Sequence, residues 1–215
     1  MKNLLLIGAM GLALAGLSTP QAQAGPYIVT LTQQGSNVVA TGSGAIDLSG
    51  FDLAGSATGT EFGTISFLDP SLGRVGTGYF SDQSSSTVAD VYYSSTPFYG
   101  PQAFGNGPET SASGSSGDVV WFFPSPITEG AQINVPTGYV SDSALSNSAT
   151  WDSTTFASLG VTPGTYMWTW GTGADQSFTL DVQGSTPPSA PEPSSLALLG
   201  AGLLGLVFLR RRKAA

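Results

Sequence analysis

The chain has 215 residues, a net charge of −8, and neither Cys nor His. Without those residue types there are no disulfides, no thiolate or Ser-His-Asp chemistry and no ordinary zinc site, so neither metal nor cofactor is expected. Only 6 Lys and Arg stand against 14 Asp and Glu; so few cations cannot neutralise a row of phosphates, which excludes nucleic acid as a partner.

Residues 1–24 read as a secretory signal peptide. Lys2 precedes an apolar run from Leu4 to Leu17, and Ala22-Gln23-Ala24 offers small residues at the two positions a signal peptidase needs. Cleavage after Ala24 leaves Gly25 as the new N-terminus. Residues 25–183 then form an extracytoplasmic domain. Within residues 25–190 a single cation, Arg74, faces 13 acids, a net charge of −12. All the aromatic residues except Phe208 also lie there, enough to build a core without cross-links.

The domain reads as all-β. Tyr27–Thr32 and Asn37–Thr41 flank Gln33-Gln34-Gly35-Ser36, a hairpin with Gly in its turn. Further strands are predicted over 62–68, 74–81, 88–93, 118–123, 131–135, 165–170 and 176–182, separated by Pro and Gly. Phe178, Leu180 and Val182 share one face of their strand, as Tyr166, Trp168 and Trp170 do of theirs. That alternation suits antiparallel sheets with one buried face, and hence a sandwich-like fold. Asp152 is expected to cap a short helix over 153–159 that ends at Gly160. The Gly/Ser-rich stretch 105–117 reads as a poorly ordered loop.

The end of the chain has three parts. Residues 184–193 are a Pro-rich linker, 194–209 an uncharged run predicted to be a single C-terminal transmembrane helix, and 210–215 a basic cytoplasmic tail. The apolar part of the run, 196–209, is short for a bilayer, and Arg210, Arg211, Arg212 and Lys213 follow it as an orientation signal.

Pro191-Glu192-Pro193, the apolar run and the basic cluster, in that order, resemble the PEP-CTERM sorting segment. The resemblance implies that Pro191, Glu192 and Pro193 are a processing motif recognised by an exosortase, a membrane transpeptidase-like enzyme. It implies an inner-membrane precursor, followed by transfer to the cell surface or the extracellular matrix, with exopolysaccharide as a further partner. The same tail carries the label of an ice-binding protein C-terminal segment, which describes the tail and not the domain.

Four functions compete for the domain. The foremost is a structural or adhesive role in the envelope or biofilm matrix. The second is a carbohydrate-binding module using Trp151, Tyr166, Trp168 and Trp170, although alternation puts the last three on the face expected to be buried. An enzyme is not expected, because the acids are scattered singly. Ice binding wants an array of Thr, and Thr30/Thr32 and Thr58/Thr60 supply only pairs.

Overall fold

The computed structural model describes residues 25–58, 66–78, 87–124 and 131–184. The strands are β1 (Tyr27–Gln34), β2 (Asn37–Gly44), β3 (Phe51–Thr58), β4 (Phe67–Asp69), β5 (Arg74–Thr77), β6 (Thr87–Ser94) and β7 (Thr110–Ser111). They continue as β8 (Gly114–Gly117), β9 (Val120–Phe123), β10 (Gln132–Pro136), β11 (Leu145–Trp151), β12 (Gly164–Thr169) and β13 (Ser177–Val182), with one helical turn, α1 (Phe156–Leu159). One sheet has the order β12-β13-β1-β2-β11-β8 and the other β3-β6-β10-β9-β5-β4-β7.

The sheets pack through their alternating residues. Tyr27, Val29 and Leu31 of β1 and Phe178, Leu180 and Val182 of β13 are buried against the other sheet. Phe122 of β9 stacks on Phe178, with centroids 4.4 Å apart and planes 8° from parallel. Trp168 lies 5.3 Å from Phe122, and Trp170 meets Phe51 edge to face at 5.1 Å. Such ring pairs contribute about 0.5–1.5 kcal/mol each beyond the area they bury. A polar bridge also crosses the core. Asn147 Nδ2 donates to the Tyr27 hydroxyl at 2.7 Å, and that hydroxyl lies 3.4 Å from Thr77 Oγ1 of the other sheet. Burial drives the Tyr27 phenol far above its ordinary pKa, so it stays a neutral hydrogen-bonding group.

A second apolar cluster lies on the opposite face of the seven-stranded sheet, around Trp121, Phe67 and Val91. Strand β9 is therefore buried on both faces, which accounts for its unbroken run Val120-Trp121-Phe122-Phe123. The Arg74 guanidinium, 5.8 Å from the Phe123 ring centroid, closes one side of the cluster through a cation–π contact.

The all-β expectation holds, with corrections. The sheets are not wholly antiparallel, because β1 and β13 pair in parallel from Tyr27↔Phe178 to Leu31↔Val182. A parallel pair needs a long crossover, and here the rest of the domain provides it. The stretch 105–117 is not a plain loop. It holds β7 and β8, and β8 is ordered by pairing with β11. Gly105 and Gly107 run against the backbone of Leu159 and Gly160, where no side chain would fit. Thr155, not Asp152, caps the helix. Its side chain accepts from Ser158 N, and Ser158 returns the bond in a capping box. Ser153, at φ 51°, is not helical, and Asp152 Oδ1 instead accepts from Asn37 Nδ2.

Candidate functional site

Every residue that the sequence assigns to processing lies outside the described residues: Ala22 and Ala24, Pro191, Glu192 and Pro193, and Arg210, Arg211, Arg212 and Lys213. So does the expected helix 194–209. Among the described residues no helix is long and apolar enough to cross a membrane. The structure does show where the domain hands over to the linker. Gln183 N donates to the Leu31 carbonyl at 3.0 Å, which ties the chain down just before Gly184. Since β1 and β13 are parallel, Gly184 leaves at the end of the sheet that carries the β1–β2 turn. Gly25 enters at the other end.

The late-chain aromatics are core residues. Trp151, Trp168 and Trp170 are all buried, and Tyr166 is half-buried. Each indole N–H is used by a backbone carbonyl: Trp151 donates to Thr110, Trp168 to Pro101 at 2.6 Å, and Trp170 to Asp47. None of these indoles can stack on a sugar while the domain is folded.

What the sequence reading missed is the outer face of the six-stranded sheet. Cα pairing places Thr165, Asp181, Thr30, Thr41, Ser148 and Ser116 in one row across all six strands. Neighbouring rows add Thr179, Ser43 and Ser146 on one side and Thr32, Val39 and Thr150 on the other. Side chains on such a face stand about 4.8 Å apart across strands and about 6.7 Å apart along them. All are at least partly exposed. Asp181 is the only charge in the three rows, and its Oδ1 accepts from Thr165 Oγ1 at 3.2 Å. Three of the exposed large apolar side chains lie on this face too: Ile28 at 39 %, Met167 at 54 % and Tyr99 at 68 %. Tyr99 pairs with Thr169 beyond β12, so its ring extends the face at one corner. The signal was present as alternating hydroxyls in β1, β2, β11 and β12, but only strand order makes it a surface.

Near the Gly25 end, Asp47, Asp142 and Asp175 come together. Asp47 N donates to the Asp175 carbonyl, and Asp142 N to the Ile46 carbonyl. Desolvation, then repulsion from Asp47 and Asp175, raises the Asp142 pKa. Among the described residues no acidic group is arranged to hold a metal ion. The folded state thus binds the Asp142 proton more tightly than the unfolded state. This group opposes folding above its folded pKa, and the penalty disappears as pH falls below the unfolded value of about 3.9. Asp142→Asn should raise the Tm at neutral pH, since Asn tolerates the φ of 66° found here. Melting curves at neutral pH and below the carboxylate range check this. A gain that persisted in acid would trace the effect to the backbone instead of to charge.

A family model described as PEP-CTERM protein-sorting motif matches residues 189–213. The match includes Pro191-Glu192-Pro193, the apolar run and the basic cluster, and leaves the β domain outside it. No curated protein matches the chain, and no solved structure matches it. The motif marks a protein sorted by an exosortase to the cell envelope or surface.

Proposed function

We propose, from the sorting motif at residues 189–213, that the chain is a non-enzymatic surface or matrix protein whose precursor is processed twice. Signal peptidase removes residues 1–24. The run 194–209 then holds the precursor in the inner membrane with Arg210, Arg211, Arg212 and Lys213 inside. An exosortase cuts near Pro191-Glu192-Pro193 and passes the β domain to the surface or the matrix, where it serves a structural or adhesive role. The motif match carries this reading. The Pro-rich linker supports it, because prolines cannot join a helix or a sheet centre and so keep the motif extended for an enzyme.

The test replaces Pro191, Glu192 and Pro193 by alanine in a host that carries an exosortase. Export and membrane insertion should persist while processing stops, so the precursor band should remain in the membrane fraction and the mature band should vanish from the surface and medium. Processing at the parent rate would reduce the motif to a linker.

A further inference from the structure

We propose that the outer face of the six-stranded sheet is a docking surface for a neutral polysaccharide, with Tyr99 as its stacking ring. The inference deepens the reading of the domain as a surface or matrix module, and rests on it only for the setting in which such a polymer is met.

A sugar chain offers two kinds of surface: apolar C–H faces and a rim of hydroxyls. The sheet face offers both in complementary form. Tyr99 and Met167, at 68 % and 54 % exposure, supply an uncovered ring and an apolar neighbour at one margin. An exposed ring of this kind presents a large apolar body at low conformational cost. Further across the same face, three and four strands in from Tyr99 and two rows along, Thr30 and Thr41 present hydroxyls at the regular spacing of a sheet, close to the length of one hexose in an extended chain. Among the described residues, the Thr30 and Thr41 side chains make no hydrogen bond, although Thr165, Ser116 and Ser148 do. Their hydroxyls are open to a ligand, as donors and as acceptors.

Charge selects the occupant. Residues 25–190 carry a net −12, yet the three rows of the face carry one carboxylate. Polyanions are repelled by the domain as a whole, and so is a second copy with the same net charge. A neutral, hydroxyl-bearing polymer meets neither penalty. The one carboxylate it meets, Asp181, already accepts from Thr165 Oγ1 and can accept from sugar hydroxyls as well.

The test uses the full chain purified in detergent, incubated with insoluble cellulose, β-1,3-glucan, mannan and chitin, and with calcium alginate gel as the anionic contrast. The expected result is retention on at least one neutral polymer and none on alginate. Tyr99→Ala should weaken retention by roughly tenfold, equivalent to about 1.4 kcal/mol, and Tyr99→Phe should keep most of it. Thr30→Asp with Thr41→Asp should abolish it. Leu53→Ala removes an equally exposed apolar side chain from the other sheet and should change nothing. All the replaced side chains are at least partly exposed, and circular dichroism checks that each variant is folded. The proposal is overturned if no neutral polymer retains the parent chain, if alginate retains it equally, or if folded Tyr99→Ala and the double Asp variant bind like the parent. The assay needs no exosortase, so its failure would leave the sorting reading untouched, and failed processing in the alanine variant would say nothing of this face.

Discussion

Trp168→Ala should unfold the domain, or come close to it. The indole has no exposed surface, lies 5.3 Å from Phe122 and 5.9 Å from Phe178, and donates to the Pro101 carbonyl at 2.6 Å. Truncation would empty the junction between the two sheets. It would also orphan a carbonyl that holds the Pro101 segment against β12. A buried Trp→Ala change costs about 3–5 kcal/mol, against a total stability of roughly 5–15 kcal/mol for an ordinary domain. Loss of the cooperative thermal transition, followed by circular dichroism, is the expected result. An unchanged Tm would mean that the ring does not join the two sheets.

Gly78→Ala is the other severe change, for a different reason. Gly78 has φ +87°, where a Cβ is strained by about 1–3 kcal/mol. Added to that, the new methyl would run into the Asp118 carbonyl and lie 2.9 Å from Val119 Cα. Both obstacles are backbone, so no rotamer change relieves them. The chain must shift where β5 pairs with β9, from Val75↔Phe122 to Thr77↔Val120. Gly35 provides the control. Its φ is +61°, as the two-residue β1–β2 turn requires, but nothing lies within 4 Å of its missing Cβ. Gly35→Ala therefore carries the backbone strain alone. Chemical denaturation of both variants should rank Gly78→Ala well below Gly35→Ala. Equal losses would show that the close approach to Asp118 does not matter.

Much of the fold was legible because its signals are local. The Tyr27–Thr32 and Asn37–Thr41 hairpin, the alternation of Phe178, Leu180 and Val182, and the shared face of Trp168 and Trp170 all follow from period-two patterning. The strands that escaped notice lack that pattern. In Leu145-Ser-Asn-Ser-Ala-Thr-Trp151 the inward residues include a polar Asn147, which is buried because Tyr27 and Asp118 O accept its two N–H bonds. In Gly114–Gly117 there is no apolar residue at all, and the strand exists only because β11 lies beside it. The parallel β1–β13 ladder joins residues about as far apart in the domain as the chain permits, and no local signal reports such a pairing. The candidate site divides the same way. The sorting motif is contiguous and could be read directly, whereas the hydroxyl face is assembled from six strands and had to wait for their order.

The parallel pairing of the first and last strands also decides how the domain bears load. A protein held at its C-terminal end and pulled from its N-terminal end carries tension along β13 and β1 in opposite senses. Five residue pairs, Tyr27↔Phe178 to Leu31↔Val182, lie across that line of force. Their hydrogen bonds run across the strands and not along them. They are therefore sheared together and must fail together, where a hairpin pulled from its two open ends would unzip bond by bond. Resistance of this kind belongs to the unfolding barrier and not to the equilibrium stability. The domain is thus built to sustain traction between its two termini, while a pull that peels β1 from β2 at the Gly35 turn would meet one bond at a time.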